Sequence, residues 1–182
     1  MSALPFLFLS HLAAACPTAK DVPFEHVWKT ATVESHFQTT SIHDNATGRE
    51  YTPANDVAAT ALAKSLRAQG HNIDAGIMQV NVANWPRLGL RVDNVFDPAV
   101  NICAGMSVLA DAYSIERRVS CRYNSGSPNC TRYADLIDHA VVPAGAVSQA
   151  RPATVATAST NPFVRPGGGR LLTFNQVERT QQ

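Results

Sequence analysis

The sequence predicts an α+β domain, mostly helical with little sheet, followed by a tail of different composition. Three observations carry that expectation. Apolar residues recur at helical spacing in several stretches between residues 21 and 142. The intervening apolar pieces are short and broken by Gly and Asn. Beyond Val142 the chain turns to small residues, Pro and Gly without periodicity. At 182 residues, 45% hydrophobic, the chain is long enough for one domain with a sizeable core. A net charge of +1 argues against a protein that grips phosphate backbones, so no direct nucleic-acid binding is expected. No apolar run reaches the roughly 18 residues of a membrane span.

The first stretch, MSALPFLFLSHLAAAC, supports two readings. Leu4 to Leu12 is either a short signal-like core with a small-residue cleavage site at Ala13-Ala14-Ala15, or a first helix packed inside the domain. A helix over about Asp21 to Phe37 follows, with Asp21 as cap and Pro23 in the first turn. Phe24, Val27, Trp28 and Ala31 form its inner stripe. Three residues on, the stripe arrives at Glu34, whereas Glu25 lies off it, where a solvated charge belongs. Residues 38 to 54 read as a polar loop. Asn55 caps the next helix, with Ala58, Ala61, Leu62 and Leu66 inward and Gly70 past its end. HNIDAGIMQVNVANW reads as a sharply turning segment with short strand. Asp97-Pro98 opens a helix to about residue 115, with Ile102, Met106, Leu109, Ala110 and Tyr113 inward. TRYADLIDHAV forms a last helix with Tyr133, Leu136, Ile137 and Ala140 inward. The resulting division is 1–16 as signal-like or first-helix segment, 12–142 as the folded domain and 143–182 as an Ala/Pro/Ser/Thr/Gly-rich disordered tail.

Four cysteines, Cys16, Cys103, Cys121 and Cys130, are disulfide candidates and allow three pairings. A Cys121–Cys130 bond would close a loop of about ten residues. Zinc ligation is disfavoured, because no pair has C-x-x-C spacing. No metal or other cofactor is expected.

A glutamate aimed into the packed side of a helix suits a general acid, since low polarity penalises the charged carboxylate and lets it retain a proton. GIMQVN at 76–81 adds a glycine turn, an apolar Met78, and the amides of Gln79 and Asn81, which suit sugar hydroxyl and acetamido groups. RYNSG at 122–126 adds Tyr123, able to hydrogen-bond a carboxyl, and Asn124. Asp44 and Asp74 are the alternative second carboxylates of an inverting hydrolase. Their ordinary roles are an Asx turn and an anchor for the GIMQ turn, respectively.

Glu34-Ser35 at a helix end, then GIMQVN, then a Tyr-Asn-x-Gly loop resemble the lysozyme-like lytic transglycosylases. SIHDN, GHNIDAGIMQVN, Asn84-Trp85 and FDPxxNIxAG resemble the branch associated with conjugation and type IV secretion. The resemblance covers about residues 12 to 140. It implies a lysozyme-like fold with a substrate cleft, and cleavage of peptidoglycan between N-acetylmuramic acid and N-acetylglucosamine with a 1,6-anhydro product. It further implies Glu34 as the single catalytic carboxyl, and Tyr123 as the residue that orients it. Met78, Gln79, Asn81 and Asn124 become sugar contacts, with Ser35 and His43 at the cleft wall. His43 departs from the hydroxyl residue that soluble periplasmic exoenzymes carry there. The implied partners are glycan strands and secretion or conjugation components, and the implied location is the periplasm or cell envelope of a Gram-negative bacterium. Cys16 with Cys103 is an implied pair, leaving Cys121 with Cys130. Two other functions compete: a non-catalytic wall-binding assembly factor on the same fold, and a hydrolase of the goose-type lysozyme kind.

Overall fold

The computed structural model describes residues 6–115, 123–124 and 131–143. The chain opens with α1 (Phe6–Ala14) and α2 (Phe24–Ser35), then passes through β1 (Ile42–Asp44) and β2 (Arg49–Tyr51) to α3 (Asp56–Ala68). The strands β3 (Ile73–Ala75) and β4 (Val80–Asn81) lead through a 3-10 turn (Val82–Asn84) into the short α4 (Trp85–Leu88). The long α5 (Pro98–Ile115) and α6 (Thr131–His139) complete the described elements. The four strands form one antiparallel sheet in the order β2-β1-β3-β4, with Ile42 opposite Ala75 and Asp74 opposite Asn81.

The core lies around α5. Ile102, Met106, Leu109 and Ala112 are buried on it, and α1 packs across it through Leu9 and Ala13. Full burial of each large aliphatic side chain contributes about 1.5–3 kcal/mol. Just after α1, a Cys16–Cys103 disulfide with a Cα–Cα distance of 5.2 Å ties this stretch to α5. Cys121, Cys130 and the tail beyond residue 143 lie outside the described residues. Among the described residues, no helix is long and apolar enough to cross a membrane.

Local signals account for much of this. Asn55 accepts the Ala58 N–H at 2.9 Å and starts α3. Asp97 accepts from Ala99 and Val100 at 2.8 and 3.1 Å and starts α5. Glu25, on the outer side of α2, pairs with Lys29 at 3.0 Å.

Several expectations change. Pro23, not Asp21, occupies the cap position of α2, where no side chain caps. The polar stretch 38–54 holds the β1–β2 hairpin; strands of three residues are too short for periodicity to reveal. On α3 the buried residues are Ala59, Ala63 and Leu66, whereas Ala58 and Ala61 are exposed. An alanine-rich helix offers little contrast between faces, so neighbouring phases look alike in sequence. Leu136 on α6 is 46% exposed, while Tyr133 and Ile137 of the same helix are buried.

Candidate active site

The inner stripe of α2 does deliver Glu34 to the interior: Val27 and Ala31 are fully buried, and Glu34 is 7% exposed. The helix stops one residue later. His36 (φ 51°) and Phe37 (φ 64°) both take the left-handed conformation, and the Phe37 N–H returns to the Ala31 carbonyl at 3.2 Å. Non-glycine residues adopt that conformation at a cost of about 1–2 kcal/mol each. Such strain persists where the surrounding structure over-determines it, often beside functional groups. Here it ends the helical wall directly after the carboxyl.

Tyr133 on α6 donates its hydroxyl proton to Glu34 Oε1 at 2.5 Å. Both side chains are buried, and α6 packs on α2. The phenol assigned to Glu34 from sequence was Tyr123. In the structure the Tyr123 hydroxyl donates at 2.7 Å to the Met78 carbonyl.

That turn, Gly76–Gln79, joins β3 to β4 and is held from several directions. Ser35 Oγ donates to the Ile77 carbonyl at 2.7 Å, tying the residue after Glu34 to the turn. Asn101 Oδ1 accepts the Met78 N–H at 2.8 Å. Gln79, at φ 45°, turns its own amide back and donates to the carbonyls of Gly76 (2.8 Å) and Ser41 (3.0 Å). Gly76 has φ +81°, and a Cβ there would lie 2.3 Å from Asn101 Nδ2, so only glycine fits.

The remaining residues singled out in the sequence fall into distinct places. Met78 is fully buried, its side chain lying where a Cβ on Gly105 would approach within 2.5 Å, so it belongs to the core between turn and α5. Asn81 is spent internally: it donates to Asn72 Oδ1 (2.8 Å) and Asp74 Oδ1 (2.7 Å) and accepts from the Ala83 N–H (3.0 Å). The amide chemistry that suits a sugar also suits a buried carboxylate, and here the carboxylate takes it. Asn124 is half-buried, next to Tyr123. His43 is buried on β1 with Nδ1 3.6 Å from Glu50 Oε1.

Asp44 is fully buried and builds the Asx turn, accepting from the Ala46 N–H (3.0 Å), the Thr47 hydroxyl (2.6 Å) and His71 (2.9 Å). Burial acts to raise its pKa, but the bonds from Thr47, Ala46 and His71 together outweigh it and hold the carboxyl below its ordinary value. Asp74 accepts from Asn45 (2.9 Å) as well as Asn81. Both aspartates thus carry structural hydrogen bonds across the β1–β3–β4 region.

Two residues of the site, Tyr133 and Asn101, escaped the sequence reading as functional groups. Each had a signal: an inward tyrosine needs a partner for its hydroxyl, and an asparagine beside the apolar stripe of a buried helix needs partners for its amide.

Residues 13–136 match the family model described as Transglycosylase SLT domain. Protein virB1 of Agrobacterium fabrum is 31% identical over 107 residues, covering 53% of this chain and 43% of that protein. Protein virB1 of Rhizobium radiobacter is 29% identical over 127 residues, 64% of this chain and 52% of that one. Type IV secretion system protein virB1 of Brucella abortus is 42% identical over 55 residues, 30% of this chain and 23% of that one. The chain thus spans about half or less of the length of these curated relatives. No solved structure matches it. With the family model covering more than half of the chain, including Glu34, the Gly76–Gln79 turn and Tyr133, the protein belongs to the transglycosylase SLT domain family.

Proposed function

We propose that the chain is a peptidoglycan lytic transglycosylase. It cleaves the bond between N-acetylmuramic acid and N-acetylglucosamine, leaves a 1,6-anhydro-muramoyl product, and opens the wall locally for a type IV secretion or conjugation apparatus in the cell envelope. The observation that carries this reading is Glu34 itself, a carboxyl buried in the last turn of a helix that ends abruptly, anchored through Oε1 by the Tyr133 hydroxyl.

Protonated Glu34 donates to the glycosidic oxygen as the C1–O bond breaks. The substrate's acetamido oxygen stabilises the positive centre at C1, as in substrate-assisted glycosidases. The Glu34 carboxylate then takes the proton of the muramoyl 6-hydroxyl while O6 bonds to C1 and closes the anhydro ring. The acid is restored and no water is consumed. The anchored carboxyl keeps one rotamer through both proton transfers, which is the positional requirement for a single group acting as acid and then base. Asn124 and the Gln79 Oε1 contact the sugars, the Gln79 amide protons being held by the Gly76 and Ser41 carbonyls. The engagement of Asp44 and Asp74 in structural hydrogen bonds supports a mechanism with one carboxyl. The names of the virB1 relatives support the secretion context.

The test is digestion of purified sacculi by the protein and by its Glu34→Gln variant, with soluble fragments read by mass spectrometry. Anhydro fragments, lighter by one water than hydrolysis products and absent with the variant, are expected. Reducing-end fragments would replace the proposal with a hydrolase. Secretion or conjugation fully supported by Glu34→Gln would replace it with an assembly factor.

A further inference from the structure

We propose that Asn101 is a positioning residue for the reaction, acting through the Gly76–Gln79 turn and Ser35 on the last turn of α2 that carries Glu34. The kinetic part of this inference rests on the transglycosylase reading; the positional part does not.

Asn101 is 1% exposed, near the start of α5, and every bond of its amide goes to backbone. Nδ2 donates to the Ala75 carbonyl at 3.0 Å and the Val95 carbonyl at 2.9 Å, while Oδ1 accepts the Met78 N–H at 2.8 Å. One planar group therefore grips the turn on both sides of Gly76 and fastens it to the segment entering α5. The three partners also define the amide's orientation, since reversing it would face a donor with a donor and a carbonyl with a carbonyl. The grip is close, because the missing Gly76 side chain is what lets backbone lie against the amide.

The next link leaves the turn at Ile77, whose carbonyl accepts the Ser35 hydroxyl at 2.7 Å. Ser35 is adjacent in sequence to Glu34 and is itself buried. No helix continues beyond it, as His36 and Phe37 reverse the chain. Among the described residues, the end of α2 is thus tied to the turn by the Ser35 hydroxyl, and the turn to the start of α5 by Asn101. Alanine at 101 removes one acceptor and two donors at once and leaves the Ala75 and Val95 carbonyls and the Met78 N–H buried without that partner. The turn then shifts to recover hydrogen bonds, and Ser35 and Glu34 shift with it.

Asn101→Ala and the milder Asn101→Ser are compared with Leu66→Ala, a core truncation on α3. The expected kinetic result on muropeptide substrate, at a temperature where all are folded, is a kcat loss of about tenfold or more for Asn101→Ala with KM within about threefold. Leu66→Ala stays within about twofold. Ser35→Ala combined with Asn101→Ala is no slower than the slower single variant, because both cut the same link.

A second readout needs no turnover. In protein carrying carboxyl-labelled glutamate, with the Glu34 signal assigned by its loss in Glu34→Gln, Asn101→Ala or Asn101→Ser moves the Glu34 titration midpoint by about half a pH unit or more. Leu66→Ala leaves that midpoint in place. An unmoved Glu34 midpoint in a folded Asn101 variant would overturn the proposal. So would failure of both Asn101 variants to fold, which would make the residue a folding determinant only. A moved midpoint in a protein that releases no fragments from sacculi would overturn the transglycosylase reading and leave the positioning role standing.

Discussion

The Tyr133 hydroxyl lies 2.5 Å from Glu34 Oε1, joining α6 to the last turn of α2 across 99 residues of sequence. Both groups are buried, so the bond is made where water competes least and a hydrogen bond to a carboxyl holds it most firmly. The second tyrosine, Tyr123, spends its hydroxyl on the Met78 carbonyl. The two phenols donate to different acceptors, and removal of each oxygen tests them one at a time.

Tyr133→Phe is expected to lower kcat by about ten- to a hundredfold, the range associated with a mispositioned acid–base group. Stability changes by only about 1–2 kcal/mol, since the ring packing is retained. Tyr123→Phe costs a similar amount, about 1–3 kcal/mol, because the Met78 carbonyl loses its donor. It lowers kcat by less than Tyr133→Phe does, since that donor serves the turn and not the Glu34 carboxyl directly. Steady-state kinetics on muropeptides together with urea unfolding distinguish the pair. Equal kcat losses in both variants would remove the distinction.

Gly76→Ala combines a φ of +81° with a Cβ placed 2.3 Å from Asn101 Nδ2. Strain and the forced displacement of the amide together are expected to destabilise the fold by about 3 kcal/mol or more. Gly48, at φ +71° with nothing within 4 Å of its virtual Cβ, supplies the comparison, because Gly48→Ala carries the strain alone. Urea midpoints of the two variants should therefore differ, with Gly48→Ala the milder.

Opening the Cys16–Cys103 bond releases a loop spanning 87 residues of sequence. In the chain-entropy model the loss is about 4–5 kcal/mol. Cys16→Ser with Cys103→Ser should lower the unfolding midpoint accordingly, with α1 the first element to lose amide protection in hydrogen exchange. A double variant as stable as the parent would show that packing of Leu9 and Ala13 on α5 suffices.

Asp44 is held below its ordinary value of 3.8 in the folded state. The folded form therefore binds this proton less readily than the unfolded form does. Its contribution to stability is fully present above about pH 4–5 and is lost as pH falls through the folded pKa. Asp44→Asn removes that contribution at every pH, so the stability gap between parent and variant is expected to be widest near neutrality and to narrow below pH 4. Chemical denaturation at a series of pH values measures it. A gap independent of pH would mean that Asp44 acts only through hydrogen-bond geometry.

How far the site was legible depends on whether a residue's partner is local. Asn55 and Asp97 cap helices through bonds to residues two or three positions on, so their roles follow from sequence alone. The same holds for Glu34: periodicity along one helix is enough to say that position 34 follows the face of Val27 and Ala31. Asp44 as an Asx turn is local as well. Asn81 was read as a sugar contact, yet a free amide in a cleft and one paired to Asp74 are the same residue type with the same donors. Met78 went the same way, from subsite wall to buried core, because Gly105 opens room for it from α5.

By itself, the sequence determined a mostly helical domain, an inward carboxyl at the end of α2, and a glycine-led turn rich in amides, all consequences of short-range spacing and backbone sterics. Only the tertiary structure decided that Tyr133 donates to that carboxyl, which amide grips that turn, and which faces of α3 and α6 are inside. Those choices depend on how α2, α5 and α6 dock, and docking is governed by the fit of whole surfaces, which no local pattern in the chain encodes.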